Sequence, residues 1–464
     1  MKYFEEPSKQ IPIREFDVVI AGGGTAGVVA AIAAARQGAK TVLIESKGYV
    51  GGTVIEGGTA LHSFFNLWKA FPGVEKRQIV KGIPAEIIDR LEKIGGTCGH
   101  AEAGINYDYD SMCTAIDVEM YKLVVFEMLR EAGVTVFVNT LLAEAVMEDT
   151  ADSDKGNKEM KGAIIESRSG REMLSAKIFV DCTGYGDLSA YAGAEFTEPN
   201  DHQVANSIGV GGVSIEKLYE YFSGFDAVKE CVEGRRSGEC NKIIRLDADM
   251  DKLPPELAEE AKKIGMSFVT TSVHDDYLMF IKINYTLDGS PTNRDKVALA
   301  ELELRKRQAR ALNLIRKHIP GAGKAFIART SPGLSIRRGR CIVCDYDMPL
   351  NDILEGRHYG DDVMSYGFHD MAPMLQIKGG GTYGIPYRAL RVAGINNLLA
   401  AGMLITSEWK AHMSTRNTVS CMAQGQAAGT AAALCASGNF GTRELPYPLL
   451  NEALVKGGVY LEVG

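Results

Sequence analysis

A β-rich run, Phe16-Asp17-Val18-Val19-Ile20, leads into the turn Gly22-Gly23-Gly24-Thr25-Ala26-Gly27, and an Ala-rich stretch follows to Gln37. A second apolar run, Thr41-Val42-Leu43-Ile44, ends at Glu45. Strand, glycine turn, helix and strand in that order make a βαβ unit. Each glycine has a physical task there. Gly22 permits the tight turn, Gly24 lets a pyrophosphate approach bare amides at the helix N-terminus beside Thr25 and Ala26, and Gly27 lets the helix lie close to the sheet. Glu45 is placed to accept hydrogen bonds from a ribose and to repel a 2′-phosphate. The pattern needs its context: Gly379-Gly380-Gly381-Thr382-Tyr383-Gly384 repeats it, but Pro386 follows and denies the helix whose N-terminus would bind phosphate.

The chain has 464 residues, room for two or three domains, with 45% hydrophobic and 24% charged residues. A net charge of −8 disfavours a surface built for nucleic acid or anionic lipid. Nine scattered cysteines, and no apolar signal core in the first seven residues, predict a reduced, cytoplasmic protein. The most apolar stretch, Phe16 to Ala35, is interrupted by Gly22-Gly23-Gly24, so no bilayer-spanning helix is expected.

Residues 51–115 are glycine-rich, with a helix expected over Pro84 to Ile94. A further helix is expected over Val118 to Ala132, then a strand over Val134 to Val138. From Leu141 to Asp181 three strands joined by polar turns read as a β-meander. Residues 200–330 change character, with strand-like runs at Ser267 to Val273 and Leu278 to Tyr285. A long helix follows, opened by a Thr292-Asn293-Arg294-Asp295 capping box and stopped by Pro320-Gly321. The expected division is therefore 1–199, 200–330 and 331–464.

Four further motifs follow the turn in order: Gly51-Gly52-Thr53, Val180-Asp181-Cys182-Thr183-Gly184-Tyr185-Gly186-Asp187, Asn397-Leu398-Leu399-Ala400-Ala401-Gly402, and Gly425-Gln426-Ala427-Ala428-Gly429-Thr430-Ala431. This set resembles the FAD-dependent oxidoreductases of the glutathione-reductase-type flavin fold. More narrowly, it resembles the bacterial FAD-dependent oxidoreductase family distantly related to succinate dehydrogenase and fumarate reductase flavoproteins. The resemblance implies an α/β fold: a Rossmann-like FAD-binding domain of the ββα type with a β-meander, and a smaller α+β substrate domain inserted in it. It also implies that Gly52 and Thr53 lie near the flavin phosphates, Leu142 meets adenine through its backbone, and Thr183, Gly184 and Asp187 border the pyrophosphate. Gly402 would approach the ribityl end, and a helix starting at Gly425-Gln426-Ala427 would aim its amides at the flavin pyrimidine. Gly52 stands where succinate dehydrogenase relatives often carry an attaching histidine, so non-covalent FAD is expected. Neither an early redox-active cysteine pair nor a second nicotinamide-binding unit is present, leaving the electron donor or acceptor external.

The resemblance also supplies candidate chemistry. His412 and Arg416 precede the flavin helix where fumarate reductase-like proteins grip a substrate carboxylate, and Arg337 falls on the family's arginine-rich strand. His369 and Arg388 match positions expected to face the flavin. Cys341 and Cys344 are expected to be structural, because strand residues three apart point to opposite faces. His62, Cys98, His100 and Cys113 fit no zinc spacing, so no metal is expected. The expected activity moves a hydride between flavin N5 and a small polar, carboxylated or hydroxylated metabolite. Alternatives are a flavin-bearing electron-transfer subunit of a complex, or an RNA-modifying flavoprotein.

Overall fold

Strand Val18–Ala21 is buried along its whole length. It occupies the centre of a five-stranded parallel sheet, ordered Leu398–Ala400, Ile178–Asp181, Val18–Ala21, Thr41–Ile44, Thr135–Phe137. The computed structural model describes residues 4–5, 7–67, 73–103, 112–149 and 158–462. Four of the sheet's strands, Val-Val-Ile-Ala, Thr-Val-Leu-Ile, Ile-Phe-Val-Asp and the edge strand Leu-Leu-Ala, are buried without alternation, as a buried parallel sheet demands. Helices Thr25–Arg36 and Thr418–Gly438 pack on this sheet and on each other. Their backbones nearly touch: a Cβ at Gly425 would lie 2.2 Å from the Ala26 carbonyl oxygen, and one at Gly429 2.0 Å from that of Ala30.

Strands Leu141–Asp149, Lys158–Ser167 and Gly170–Ser175 pair antiparallel in succession, and Ile13–Glu15 runs parallel to the last. The third strand expected to reach Asp181 is two strands instead. The chain breaks at Ala176-Lys177, and the continuous apolar run Ile178–Asp181 moves into the parallel sheet. The 150–157 part of the polar turn expected over 149–158 lies outside the described residues. The Gly379–Gly384 turn is followed by strand Tyr383–Pro386, which pairs with Asp362–Tyr366, and by no helix of the kind that binds phosphate.

A second core gathers residues from Val204 to Ile336. Its antiparallel sheet is ordered Met266–Ser267, Tyr277–Tyr285, Val204–Gly211, Phe326–Thr330. Helix Arg294–His318 buries Ala300, Leu304, Ala311 and Ile315. Asn293, not Thr292, caps that helix, its Oδ1 accepting the amides of Asp295 and Lys296 at 3.1 and 3.2 Å. The Thr292 hydroxyl instead donates to Glu198. The expected run Ser267 to Val273 divides into Met266–Ser267 and Thr270–Thr271, which join different sheets. The hairpin Val228–Arg236 with Glu239–Ala248 has no counterpart in the sequence reading. Among the described residues no helix is long and apolar enough to cross a membrane.

Candidate cofactor and active site

The first glycine turn is held by contacts that no side chain could share. Gly22 has φ +92°, and a Cβ there would stand 2.5 Å from the Cys182 carbonyl oxygen. One on Gly27 would stand 1.8 Å from the Gly22 carbonyl oxygen, which is the close helix approach expected of it. Segment Gly51–Thr53 lies over the helix N-terminus. The Gly51 amide donates to Gly23 at 2.8 Å, and the Thr25 hydroxyl donates to the Gly51 carbonyl at 3.2 Å and meets the Thr53 hydroxyl at 3.1 Å.

These groups border a cavity of about 300 Å³. Gly22, Gly24, Thr25, Ala26, Glu45, Gly52, Thr53, Leu142, Thr183, Gly184, Asp187 and Gly402 all line it, as do Lys47, Glu56, Tyr185, Ile336, Met403 and Cys421. Glu45 Oε2 accepts the Gly23 amide at 2.9 Å, while Oε1 accepts the Lys47 amide at 2.8 Å and the Ser46 hydroxyl at 3.1 Å. Burial raises the Glu45 pKa against the pull of these bonds. A carboxylate offers about four acceptor positions, so one is left for a ligand hydroxyl. Asp181 shapes the opposite loop, accepting the Thr183 amide and hydroxyl and the Ser189 amide at 2.8–3.0 Å. Asp187 pairs with Arg340 at 2.8 Å, yet burial still raises its pKa.

A Cβ at Gly184 would meet nothing within 4 Å, and one at Gly24 only ordinary contacts from 3.8 Å outward. Two strips of bare backbone therefore face the cavity, one at a helix N-terminus, with a carboxylate at the end of the next strand. That donor set fits a dinucleotide.

The wall does not include Gly27, Gly425, Gln426 or Ala427. The helix expected to begin at Gly425 begins at Thr418 with Asn417 as its cap, so Gly425 lies two turns inside and serves helix packing. Gln426 is a clamp: its Oε1 accepts the Ile83 amide at 2.9 Å and its Nε2 donates to Gly457 at 2.8 Å. Gln424 passed without a role in the sequence reading. Its Oε1 accepts the Gly402 amide at 2.8 Å and its Nε2 donates to Thr415 at 2.7 Å, tying the cavity wall to the following helix. A pair of glutamines, Gln424 and Gln426, in a buried run of small residues was the available signal. Lys47 and Tyr49 both bond Glu56, a second polar group of the wall missed in sequence.

The candidate catalytic residues fall into two sets. His412, fully buried in helix Trp409–Thr415, has Nε2 3.1 Å from the Met403 carbonyl, so Nε2 carries the proton. Its Nδ1 has no hydrogen-bond partner among the described residues. Burial first, then the charges of Arg416 and Arg338, holds its pKa well below the usual histidine value. Arg416 pairs with Asp370 through Nη2, while its buried Nε has no partner among the described residues. The Cys421 thiol, part of the cavity wall, donates to the Arg416 carbonyl at 3.2 Å. Arg337 directly follows the wall residue Ile336. The buried His202 ring stands 5.5 Å from that of His412 and bonds Asp201 at 2.7 Å, which in turn pairs with Arg338 at 2.8 Å.

The other two are engaged elsewhere. His369 uses both ring nitrogens, Nε2 on the Lys410 carbonyl at 2.9 Å and Nδ1 for the Met371 amide at 3.0 Å. Arg388 pairs with Asp361 and stacks 4.6 and 4.7 Å from the Tyr346 and Tyr359 ring centres. Cys341 and Cys344 are buried free thiols whose pKa values burial raises.

A family model described as FAD dependent oxidoreductase matches residues 17–454. The chain belongs to this family. FAD is its cofactor, and the cavity described above offers the donor set for it. Among curated proteins, this oxidoreductase is 37% identical over 89 residues to a 3-oxosteroid 1-dehydrogenase of Mycolicibacterium smegmatis, covering 19% of this chain and 15% of that one. It is 38% identical over 84 residues to the Mycobacterium tuberculosis protein of the same name, covering 18% and 14%. The match thus spans about a seventh of the curated relatives. Among solved structures, a geranylgeranyl bacteriochlorophyll reductase-like protein from Thermoplasma acidophilum superposes with a TM-score of 0.50 at 13% identity, over 97% of this chain and 85% of that one. That likeness is one of fold.

Proposed function

We propose that this oxidoreductase holds FAD non-covalently in the glycine-lined cavity and moves a hydride between it and a small polar metabolite, hydroxylated or carboxylated. The observation that carries this is the pair of buried atoms without a partner among the described residues, His412 Nδ1 and Arg416 Nε, on residues that do not line the cavity themselves but bond its wall residues Met403 and Cys421. Bound FAD supplies two-electron redox chemistry at its N5. The protein supplies the rest. With Nε2–H committed to Met403, His412 Nδ1 is an acceptor, suited to a substrate hydroxyl. Arg416 Nε–H is a donor, suited to a carboxylate or carbonyl oxygen. Arg337 brings a further guanidinium close to the same junction, next in chain to the wall residue Ile336. His369 and Arg388 act as supports on this reading, each through the partners it already has. Kinship with the glutathione-reductase-type fold and with fumarate reductase flavoproteins is part of the proposal, since His412 and Arg416 keep that order. The short match to 3-oxosteroid 1-dehydrogenases supports dehydrogenase chemistry without specifying a steroid.

Anaerobic mixing of the yellow protein with a metabolite library tests this. Bleaching by a hydroxy- or carboxylate-bearing compound is expected. Bleaching by none of them, with reduction by an iron-sulfur partner instead, would favour an electron-transfer subunit. Acid precipitation should release the colour into the supernatant; a yellow pellet would contradict non-covalent binding.

A further inference from the structure

Lys282 lies on strand Tyr277–Tyr285 of the second core, where Ile281 and Ile283 turn inward. Strand alternation sends Phe280 and Lys282 to the opposite face. That face looks at the cofactor unit: a Cβ on Gly58 would lie 3.3 Å from the Phe280 ring. Lys282 pairs in register with Ser207 and Ser267. The Ser207 hydroxyl meets that of Ser331 at 2.7 Å, and Ser331 donates to the carbonyl of Glu56, a residue of the cavity wall, at 2.7 Å. The sequence reading passed over this lysine, since its surroundings come from segments 331–340, 370 and 416.

We infer that the Lys282 amine is a further proton-transfer group of this active site, contributed by the second unit. The inference rests on the oxidoreductase reading above. Among the described residues the Lys282 ammonium has neither hydrogen bond nor ion pair. Lys282 is partly buried, and lysines drawn into a protein are ordinarily paired. The groups that face it are Arg337 and Arg416, which repel its charge, and Asp370 and Asp247, which attract it. Both carboxylates already have cations of their own, Arg416 for Asp370 and Lys229 at 3.5 Å for Asp247. Burial first, and then the two arginines, lower the Lys282 pKa to about 7.

The other groups cannot hold a substrate proton near neutral pH. Arginine does not give up its proton. His412 sits well below its ordinary value, and both His369 nitrogens are occupied. A proton carrier works best with a pKa near the working pH, and a desolvated lysine meets that need. When the substrate is oxidised, a C–H bond breaks and its hydride carries two electrons to the cofactor. The proton from the adjoining hydroxyl passes to the neutral Lys282 amine as the carbonyl forms. Reduction reverses both transfers.

Competitive labelling of the holoenzyme with acetic anhydride across a pH series, read by mass spectrometry, reports the amine directly. Half-maximal reactivity of Lys282 near pH 7 is expected, about three units below an ordinary lysine, and Arg416→Gln should move it upward. A half-reactive pH at the ordinary lysine value would overturn the inference. With the metabolite that bleaches the wild type, Lys282→Met should keep the FAD spectrum and slow bleaching at least about a hundredfold. Lys282→Arg should not restore it, because a guanidinium keeps its proton. Bleaching of Lys282→Met at the wild-type rate and pH profile overturns the role of Lys282 alone, whereas a wild type that no metabolite bleaches removes the underlying reading.

Discussion

Glu45 both fastens the first glycine turn, through the Gly23 amide, and presents a carboxylate to the cavity. Glu45→Ala should therefore weaken FAD binding by about 1.5–3 kcal/mol, the range for a hydrogen bond to a charged group. A fluorescence titration with FAD checks this, and unchanged affinity would move the ribose contact elsewhere. His412→Ala and Arg416→Gln should keep the flavin spectrum and lower the bleaching rate at least about a hundredfold, as expected for groups tied to the transition state. Normal rates in both would shift attention to Arg337, His369 and Arg388. At this scale the cradle was legible because its glycines are local: Gly22, Gly24 and Gly27 act within six residues of chain. Gln424 and Lys282 were not, because what gives them a role, the Gly402 amide for Gln424 and Arg337 and Arg416 for Lys282, comes from other segments of the chain.

Between elements, the tightest fit joins helices Thr25–Arg36 and Thr418–Gly438. A methyl at Gly429 would stand 2.0 Å from the Ala30 carbonyl oxygen, so Gly429→Ala must push the helices apart. A loss of about 1–3 kcal/mol is expected from such overpacking, and FAD retention should fall with it because Thr25 opens the cradle. Calorimetry with and without FAD measures both. A second link is His274, whose Nε2 lies 2.7 Å from Asp117 Oδ2; Asp117 also caps helix Val118–Glu131. The bond to Asp117 raises the His274 pKa, and the Asp117 pKa is lowered against its burial. A raised histidine pKa gives stability that is complete below the unfolded value near ~6.5 and is lost as pH rises through the folded value. His274→Gln should therefore lower the melting temperature more at about pH 5.5 than at about pH 9.5; an equal drop at both would show that the pair adds nothing through charge. Elements with strong periodicity, such as Val118–Glu131 and Arg294–His318, were readable to within a residue or two. Those defined by pairing were not: polar Val228–Arg236 becomes a strand only through its hairpin partner, and the break at Ala176-Lys177 appears only when two sheets compete for one run.

For the whole molecule, we keep the division 1–199, 200–330 and 331–464 as a proposal, supported by a second core that runs from Val204 to Ile336. The units meet where Arg329 donates to the Ile55 carbonyl at 2.8 Å and Ser331 to that of Glu56, beside the cavity that Glu56 and Ile336 line. An inserted unit so placed can bring residues such as Lys282 to a cofactor bound by the first. The change of character over residues 200–330 is the sequence's trace of that second core, while the charges at the junction depend on packing that no local pattern encodes. The most direct test of the central claim, that FAD lies along the bare backbone of this cavity, is the flavin content of Gly24→Val beside the wild type after reconstitution with FAD and desalting. A Cβ at Gly24 meets no atom closer than 3.8 Å and so enters the cradle without a clash. The wild type should retain one FAD per chain and Gly24→Val almost none, with unchanged far-ultraviolet circular dichroism. Equal flavin in both, or none in the wild type, would contradict the account.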